Sequence, residues 1–477
     1  MSTNSDESLH FFTEWIDRYL NFERTPKKNI FWLDTMKFLC EKLHHPETYC
    51  PCFHVAGSKG KGSISAMIAG ILEEKGLRTG VYTSPHILDF KERVGYGNKP
   101  FEFEVYRQSA YELMDVVDSI PLEEFPAQRP VTWFELVTLF AMLCFRNARV
   151  DYAVWEVGLG GRLDATNVVQ PVCCCIGPIE LEHTEFLGDT IEKIAKEKGG
   201  IIKKATPVVC ARQTDEAYKA LQDIASSLNA PFIQVEKNAR ISNTVYNIRH
   251  NFCESIKNNT LKDAPFITLD ADISSPLFQK DVHVALQMLG DVQVENAALA
   301  ALAVKHVFPD IDESMIGRGA SRAYLPARFE MTASSLHPNI PFIVLDGAHT
   351  ANSIHITMKT YRHIVVALQD KLHESMQKPF LLFACAADKD VEDIAIHFKD
   401  ECSRIVLTRP GNVKQSDVQR AAKAFTSEKI DCTVIEDYEK AIEVLFDTAN
   451  KERVPVLVAG SFYLVAEVKS YLRNLQL

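Results

Sequence analysis

Apolar residues follow two different periods along this chain. Cys52 to Ala56 is a short, largely apolar run; Ser63 to Lys75 carries the three-to-four spacing of an amphipathic helix and stops at Gly76; Gly80 to Thr83 is apolar again. That succession predicts a strand, a helix and a second strand. Phe134 to Arg146 reads as a further helix, and Tyr152 to Val157 and Val172 to Ile176 as buried strands. Thr190 to Lys198 reads as a short helix with Asp189 placed to cap it. Strands that alternate with helices in this way predict an α/β fold with a doubly wound, mostly parallel sheet.

From about Asn229 to Gln287 the pattern weakens into short β-like runs, Phe266-Ile-Thr-Leu and Val282-His-Val-Ala-Leu, expected to be a sheet extension of the first domain. A helix resumes near Val292 to His306, and Gly317-Arg-Gly-Ala-Ser-Arg has loop character. Alternation then restarts, with strands expected at Ile343–Leu345, Phe380–Phe383, Ile405–Thr408, Cys432–Ile435 and Val456–Val458. A second, smaller Rossmann-like α/β domain follows from that restart. The expected division is a first domain over 1–318, a hinge or linker over 319–325 and a second domain over 326–477.

Composition narrows the function classes. With 477 residues, 46% hydrophobic and 24% charged, the chain is long enough to bury a core without disulfide or metal staples. Its net charge of −11 disfavours nonspecific binding to nucleic acid or anionic membranes, yet leaves room for a local basic pocket. No apolar stretch approaches the roughly 18 residues of a membrane span, and the first ten residues lack the basic and apolar regions of a signal peptide, so a cytoplasmic protein is expected. The consecutive Cys173, Cys174 and Cys175 read as buried free thiols of a reducing compartment. His44, His45, Cys50, Cys52 and His54 cluster in sequence, but their spacing fits no common zinc pattern.

Ala56-Gly57-Ser58-Lys59-Gly60-Lys61-Gly62-Ser63 lies between the first strand and its helix. Backbone N–H groups and a helix N-terminus at such a turn attract phosphate, Lys61 adds charge, and the Ser63 hydroxyl can reach Mg²⁺. The spelling departs from the standard GxxxxGK[ST], because Gly62 separates the lysine from the hydroxyl residue. Two lysines in so tight a turn repel each other unless an anion joins them. Three more motifs fall just past strand ends: Thr83-Ser84-Pro85-His86, the block from Glu156 to Asn167, and Glu182-His183-Thr184. The carboxyl edge of an open α/β sheet is where ligands bind, so Glu156 and His183 are candidate functional groups beside the phosphate loop.

At these residues the sequence resembles the folylpolyglutamate synthase and dihydrofolate synthase family, within the Mur-type amide ligases. The marks run from about Phe53 to Glu467: the Gly-Lys-Gly-Ser loop, Ser84-Pro85-His86, Phe134-Glu135, the Glu156 to Asn167 block, His183-Thr184, Glu197-Lys198-Gly199-Gly200-Ile201, Gln293 with Asn296, Pro326-Ala327-Arg328-Phe329-Glu330, Asp346-Gly347-Ala348-His349, Asp388-Lys389-Asp390 and Gly460-Ser461-Phe462-Tyr463-Leu464. Three positions depart from the family's usual wording: Glu182 stands for Asp, Thr350 for Asn, and Val292 for His.

The resemblance implies ATP-dependent amide formation between a folate-type carboxylate and L-glutamate. The γ-phosphoryl group activates the carboxylate as an acyl phosphate, which the glutamate amine attacks. It places Gly57, Ser58, Lys59, Gly60, Lys61, Gly62 and Ser63 around the ATP phosphates and Asn296 at the adenine. Arg328 and Asp346 are implied as ATP contacts and His349 as a group near the γ-phosphate or the amine. Ser461 is implied as a glutamate contact, and Phe134 and Glu135 as part of the acceptor site. Ser63, Ser84, Glu156, His183 and Lys198 are implied around one or two Mg²⁺ ions. A free Lys198 ammonium would repel that metal, so carbamylation by CO₂ is expected, which requires a pKa below the ordinary value of about 10.4. Closure of the two domains would keep water from the acyl phosphate.

The acceptor is dihydropteroate, a glutamylated folate or both. Gly161-Arg162-Leu163-Asp164 resembles the bifunctional and dihydrofolate synthase wording, whereas Ser58-Lys59 and Lys198-Gly199-Gly200 resemble the animal polyglutamate synthase wording. A bifunctional, monomeric enzyme is the expectation, with a monofunctional folylpolyglutamate synthase or another Mur-type amide ligase as alternatives. A phosphate-loop switch or motor would leave Glu156, His183 and the second domain without a role, and a noncatalytic binding protein would be expected to have lost a phosphate or metal group.

Overall fold

The computed structural model describes residues 9–21, 32–97, 99–249, 267–412 and 414–474, so that Met1 to Ser8 and Phe266 lie outside the described residues. Two compact units emerge, residues 1–243, 271–285 and 292–324, and residues 244–270, 286–291 and 325–477.

The first unit is built on seven strands, β1 Cys52–Ala56, β2 Thr79–Tyr82, β3 Val94–Tyr96, β4 Tyr152–Glu156, β5 Cys173–Ile176, β6 Val208–Cys210 and β7 Phe232–Gln234. Their order is β3-β2-β4-β1-β5-β6-β7, parallel throughout except that β3 runs antiparallel to β2. Its helices are α1 His10–Ile16, α2 Asp34–Lys42, α3 Lys61–Glu74, α4 Phe103–Asp118, α5 Trp133–Asn147, α6 Thr184–Leu187, α7 Ile191–Gly199, α8 Asp215–Ser227, α9 Val235–Asn238, α10 Asp291–Val307 and α11 Glu313–Arg322. One buried cluster gathers Phe12, Leu39, Phe140 and Phe145 with Trp155, and another gathers Ile176, Ile194, Ile201 and Leu221. Strands covered on both faces explain why β5 can be Cys-Cys-Cys-Ile: all four residues are buried, and the three thiols are free. The chain passes from β4 to β5 across β1, which puts the end of β1 at the switch point of the sheet.

Three strands, β8 Arg240–Ile248, β9 Ile267–Ser274 and β10 Val282–Leu286, form a sheet of their own in the order β10-β9-β8. The weak β pattern there, expected as a sheet extension of the first domain, forms a separate sheet, and residues 244–270 and 286–291 fall in the second unit. β8 is exposed or half-exposed along most of its length, and so lacks the continuous apolar run of a strand buried between helices.

The second unit holds a six-stranded sheet of β11 Glu330–Thr332, β12 Ile343–Leu345, β13 Phe380–Phe383, β14 Arg404–Leu407, β15 Thr433–Val434 and β16 Val456–Ala459. The order is β11-β12-β16-β13-β14-β15, with only β11 antiparallel to its neighbour. Helices α12 Ala351–Leu372, α13 Val391–Ala395, α14 Val418–Ser427, α15 Tyr438–Glu452 and α16 Phe462–Asn474 accompany it.

Two local expectations are corrected. Thr190, not Asp189, caps α7: its side chain accepts the Lys193 amide, while Asp189 pairs with the Lys193 ammonium at 2.7 Å. Gly317 to Arg322 is helical rather than loop, so the connection expected over 319–325 begins only after Arg322. The glycines mark packing rather than a turn. α11 lies against α3, and a Cβ on Gly319 would collide with Ile71 Cα and sit 2.6 Å from the Gly70 carbonyl oxygen.

Gly319→Ala should therefore destabilise the protein, although alanine is the better helix former by about 1 kcal/mol. The obstructing atoms are backbone and cannot swing aside, and overpacking of this kind costs about 1–3 kcal/mol. Urea unfolding of the variant should show a lower midpoint; an unchanged or raised midpoint would mean the two helices can separate freely.

Candidate active site

The phosphate loop leaves the end of β1, the central strand, and enters α3 directly. Gly60 holds φ +78°, a left-handed conformation that suits glycine, and a Cβ there would lie 2.7 Å from Asn296 Oδ1. Lys61 Nζ folds back to donate to the Gly57 carbonyl at 3.1 Å. The segment after β5 crosses beneath the loop: the Pro178 carbonyl accepts the amides of Ser58 at 2.8 Å and Lys59 at 3.2 Å. The Ser58 hydroxyl donates to the Glu180 carbonyl, whose own amide returns a bond to Ser58 Oγ.

That crossing segment brings Glu182 to the lysines. Lys198 Nζ, from the end of α7, donates to Glu182 Oε1 at 3.0 Å and to the Gly57 carbonyl at 3.0 Å. Lys59 Nζ stands 3.6 Å from Glu182 Oε2. Burial by itself would raise the Glu182 carboxyl, but the ammonium groups of Lys198, Lys61 and Lys59 outweigh it and hold the pKa down at about 2. Burial, reinforced by Lys61, lowers Lys198 to about 8 against the opposing pull of Glu182. Lys198 is therefore buried, at 1% exposure, and not a helix-end lysine in solvent.

Glu156 ends β4, buried, and accepts the Ser84 amide from the end of β2 at 3.1 Å. His183 follows Glu182 with φ 48° and starts α6. Among the described residues no group of three or more His, Cys, Asp or Glu side chains is placed to hold a metal by itself. Glu156, Ser63 and Ser84 offer oxygen donors at one sheet edge. That set suits Mg²⁺, which takes one or two carboxylates and completes its shell with water and phosphate oxygens. The sequence cluster near residue 50 goes elsewhere: His54 is buried and bonded to Thr166 Oγ1 at 2.9 Å, with its pKa lowered by burial to about 3, and His45 bonds Glu47.

The second unit gathers its own group at the ends of β12 and β16. Asp346 Oδ1 accepts the Ala348 amide and Oδ2 the Thr357 hydroxyl, each at 2.9 Å, and burial raises its pKa despite these bonds and nearby Arg328. His349 Nδ1 donates to the Gly347 carbonyl at 2.7 Å, which fixes the orientation of the ring. The Arg328 guanidinium lies 4.3 Å from the Phe462 ring centre, and the His349 ring meets the same phenyl edge-on at 5.8 Å.

The sequence pattern of the Mur ligase middle domain matches residues 55–304, and that of the Mur ligase glutamate ligase domain matches residues 327–462. The chain belongs to the Mur ligase family. Over 477 aligned residues this Mur ligase is 29% identical to the dihydrofolate synthase/folylpolyglutamate synthase of Bacillus subtilis, covering 96% of this chain and 98% of that protein. It is 30% identical over 445 residues to a protein of Haloferax volcanii named a bifunctional folylpolyglutamate synthase/dihydropteroate synthase. That alignment takes in 92% of this chain but only 48% of the longer relative. The crystal structure of folylpolyglutamate synthase from Thermotoga maritima superposes with a TM-score of 0.77 at 26% identity, covering 98% of this chain and 97% of that one.

Several marked residues of this Mur ligase have structural employment. The Glu135 carboxylate is buried in the capping box that starts α5, accepting the Thr132 amide and hydroxyl at 2.8 Å. Phe134 fills the space beside Gly158, in the turn that follows Glu156. Ser461 caps the start of α16, its Oγ accepting the Tyr463 amide at 3.1 Å. Asn296 Nδ2 donates to Gln293 Oε1 at 3.0 Å. Thr350 is the N-cap of α12, with Ser353 completing a reciprocal box, a duty Thr discharges nearly as well as Asn. Asp164 is a further functional position at this edge, which the motif alone does not single out. Buried, it accepts the amides of Gly158, Leu159 and Thr166 at 2.9–3.0 Å and shapes the turn after Glu156; an Asp two residues before a Thr, after a glycine run, was the signal available.

The depressed Glu182 pKa has a measurable sign. Its contribution is fully present above the ordinary carboxyl value of 4.5 and is lost as pH falls from there towards about 2. Glu182→Gln should lower stability at pH 7 by an amount on the order of 3 kcal/mol, and should flatten the acid limb of the stability curve. Equal stabilities at pH 7 by denaturant unfolding would contradict the lysine-held carboxylate.

Proposed function

We propose that this protein is an ATP-dependent ligase that joins L-glutamate to a folate-type carboxylate through an acyl phosphate, acting on both dihydropteroate and glutamylated folates. The observation that carries this reading is the imbalance of charge at the phosphate loop. Three ammonium groups, those of Lys59, Lys61 and Lys198, converge there on the single carboxylate of Glu182, a surplus of positive charge suited to an anion. A nucleotide triphosphate supplies it, and the charge spread over a transferring γ-phosphoryl group is what such lysines stabilise. The polyglutamate and dihydrofolate synthase names of the full-length relative support the acceptor class.

In this reading Gly57 to Ser63 hold the phosphates and Asn296, beside Gly60, faces the nucleotide. Ser63, Ser84, Glu156 and His183 would hold Mg²⁺, which screens the phosphate oxygens. Arg328, Asp346 and His349 of the second unit serve the same reaction in this reading: Arg328 and Asp346 as ATP contacts, and His349 as a group near the γ-phosphate or the glutamate amine. Ser461 lies at a helix start suited to the carboxylate of glutamate. Lys198, lowered to about 8, has a neutral fraction near neutral pH whose nitrogen can attack CO₂ and lose a proton, giving a carbamate with oxygens fit for Mg²⁺; the two charges of the bound metal would then replace the two that modification of the ammonium removes, so the loop would keep its positive surplus. The enzyme acts as a monomer in the cytoplasm.

Phosphate release should be measured with dihydropteroate and tetrahydrofolate in parallel, each with glutamate and ATP–Mg²⁺. Release with both acceptors, dependent on glutamate and matched by a product one glutamyl residue heavier, is expected. Release without any acceptor would point to a nucleotide switch instead. Lys61→Ala should lower turnover by a factor of about a hundred or more with either acceptor, and residual activity above a tenth of wild type would remove Lys61 from the phosphoryl step. Lys198→Ala should lose activity that a small carboxylic acid partly restores; a fully active variant would eliminate the carbamate.

A further inference from the structure

The crossing segment Gly177-Pro178-Ile179 carries the phosphate loop on its back, and its polar groups are satisfied in an unusual way. The Gly177 amide donates to the Ala56 carbonyl at 2.8 Å, and the Pro178 carbonyl takes the two loop amides of Ser58 and Lys59. The Gly177 carbonyl and the Ile179 amide are met by one side chain, Gln213, from the turn between β6 and α8. Gln213 Nε2 donates to the Gly177 carbonyl at 2.8 Å and Oε1 accepts the Ile179 amide at 2.9 Å. A side-chain amide thus does for residues 177 and 179 what a neighbouring strand would do. The segment it fixes supports the loop at Pro178 and, three and four residues on from Ile179, delivers Glu182 and His183.

We propose that Gln213 is a positioning residue for phosphate binding: it sets the height of the Gly177–Ile179 segment, and through Pro178 the direction of the Ser58 and Lys59 backbone. The proposal rests on the nucleotide reading of the loop. Both arms are needed, and only a carboxamide has a donor and an acceptor at that spacing. A carboxylate in its place keeps the acceptor but turns an oxygen against the Gly177 carbonyl. An apolar chain of equal length leaves both backbone groups unmet without repulsion.

The test is ADP binding measured by calorimetry in EDTA, with no metal present, on the full chain and its Gln213→Met and Gln213→Glu variants, beside thermal unfolding of each. Gln213→Met should bind ADP about tenfold more weakly and Gln213→Glu more weakly still, while each unfolds in a single cooperative transition, so that the folded fraction itself is impaired. A folded variant that binds within twofold of the native chain would overturn the proposal. So would a loss of binding explained wholly by a fall in melting temperature, since that is what a merely structural glutamine would give. Should the Glu variant fail to fold, the Met variant decides alone. If the native chain itself binds no ADP, the nucleotide reading fails first and this proposal falls with it.

Discussion

Lys198 reaches from the end of α7 to the Gly57 carbonyl and to Glu182, and this one ammonium ties the end of a helix to two segments, those after β1 and β5, that sequence separates widely. The arrangement is costly in isolation, because a buried ion pair recovers little more than its desolvation. It makes sense as specification: with Lys59 and Lys61 close by, Glu182 fixes where the positive charge sits before any anion arrives. Substitution of the family's usual Asp by Glu lengthens that arm by one methylene, and the carboxylate still spans two lysines, at 3.0 and 3.6 Å.

The rest of the first unit supports this pairing. α7 ends against the glycine turn after Glu156, where Asn167 Nδ2 bonds the carbonyls of Arg162 and Gly200 at 3.0 Å and the Arg162 side chain bonds Glu197. Asp164 holds the same turn from within. The Glu156 carboxylate and the Lys198 amine are therefore placed by one connected set of hydrogen bonds at the carboxyl edge of the sheet. Rigid placement of charge before reaction is the property that electrostatic catalysis requires.

Much of this was legible in the sequence, because strand and helix differ in period and because phosphate loops have a local spelling. The central strands, the loop into α3 and the carboxyl-edge position of Glu156 and His183 all follow from pattern alone. What pattern could not supply was the use of residues by distant neighbours. Gly317 and Gly319 look like a turn until the His283 backbone is placed against the first and Gly70 against the second. The motifs of Glu135 and Ser461 do not show that the first is held in a helix cap and that the second makes one. The stretch over β8 to β10 has too little alternation to say which sheet it joins. Lys198 stood out only through a motif, since nothing local distinguishes a buried helix-end lysine from an exposed one.

The central claim, that charge gathered at the end of β1 moves a phosphoryl group onto an acceptor carboxylate, is open to an isotope measurement. The acceptor carboxylate is labelled with ¹⁸O and turned over with ATP–Mg²⁺ and glutamate, and the inorganic phosphate is analysed by mass spectrometry. An acyl phosphate requires one labelled oxygen to leave with each phosphate released. Phosphate free of label, formed while labelled amide accumulates, would contradict the account.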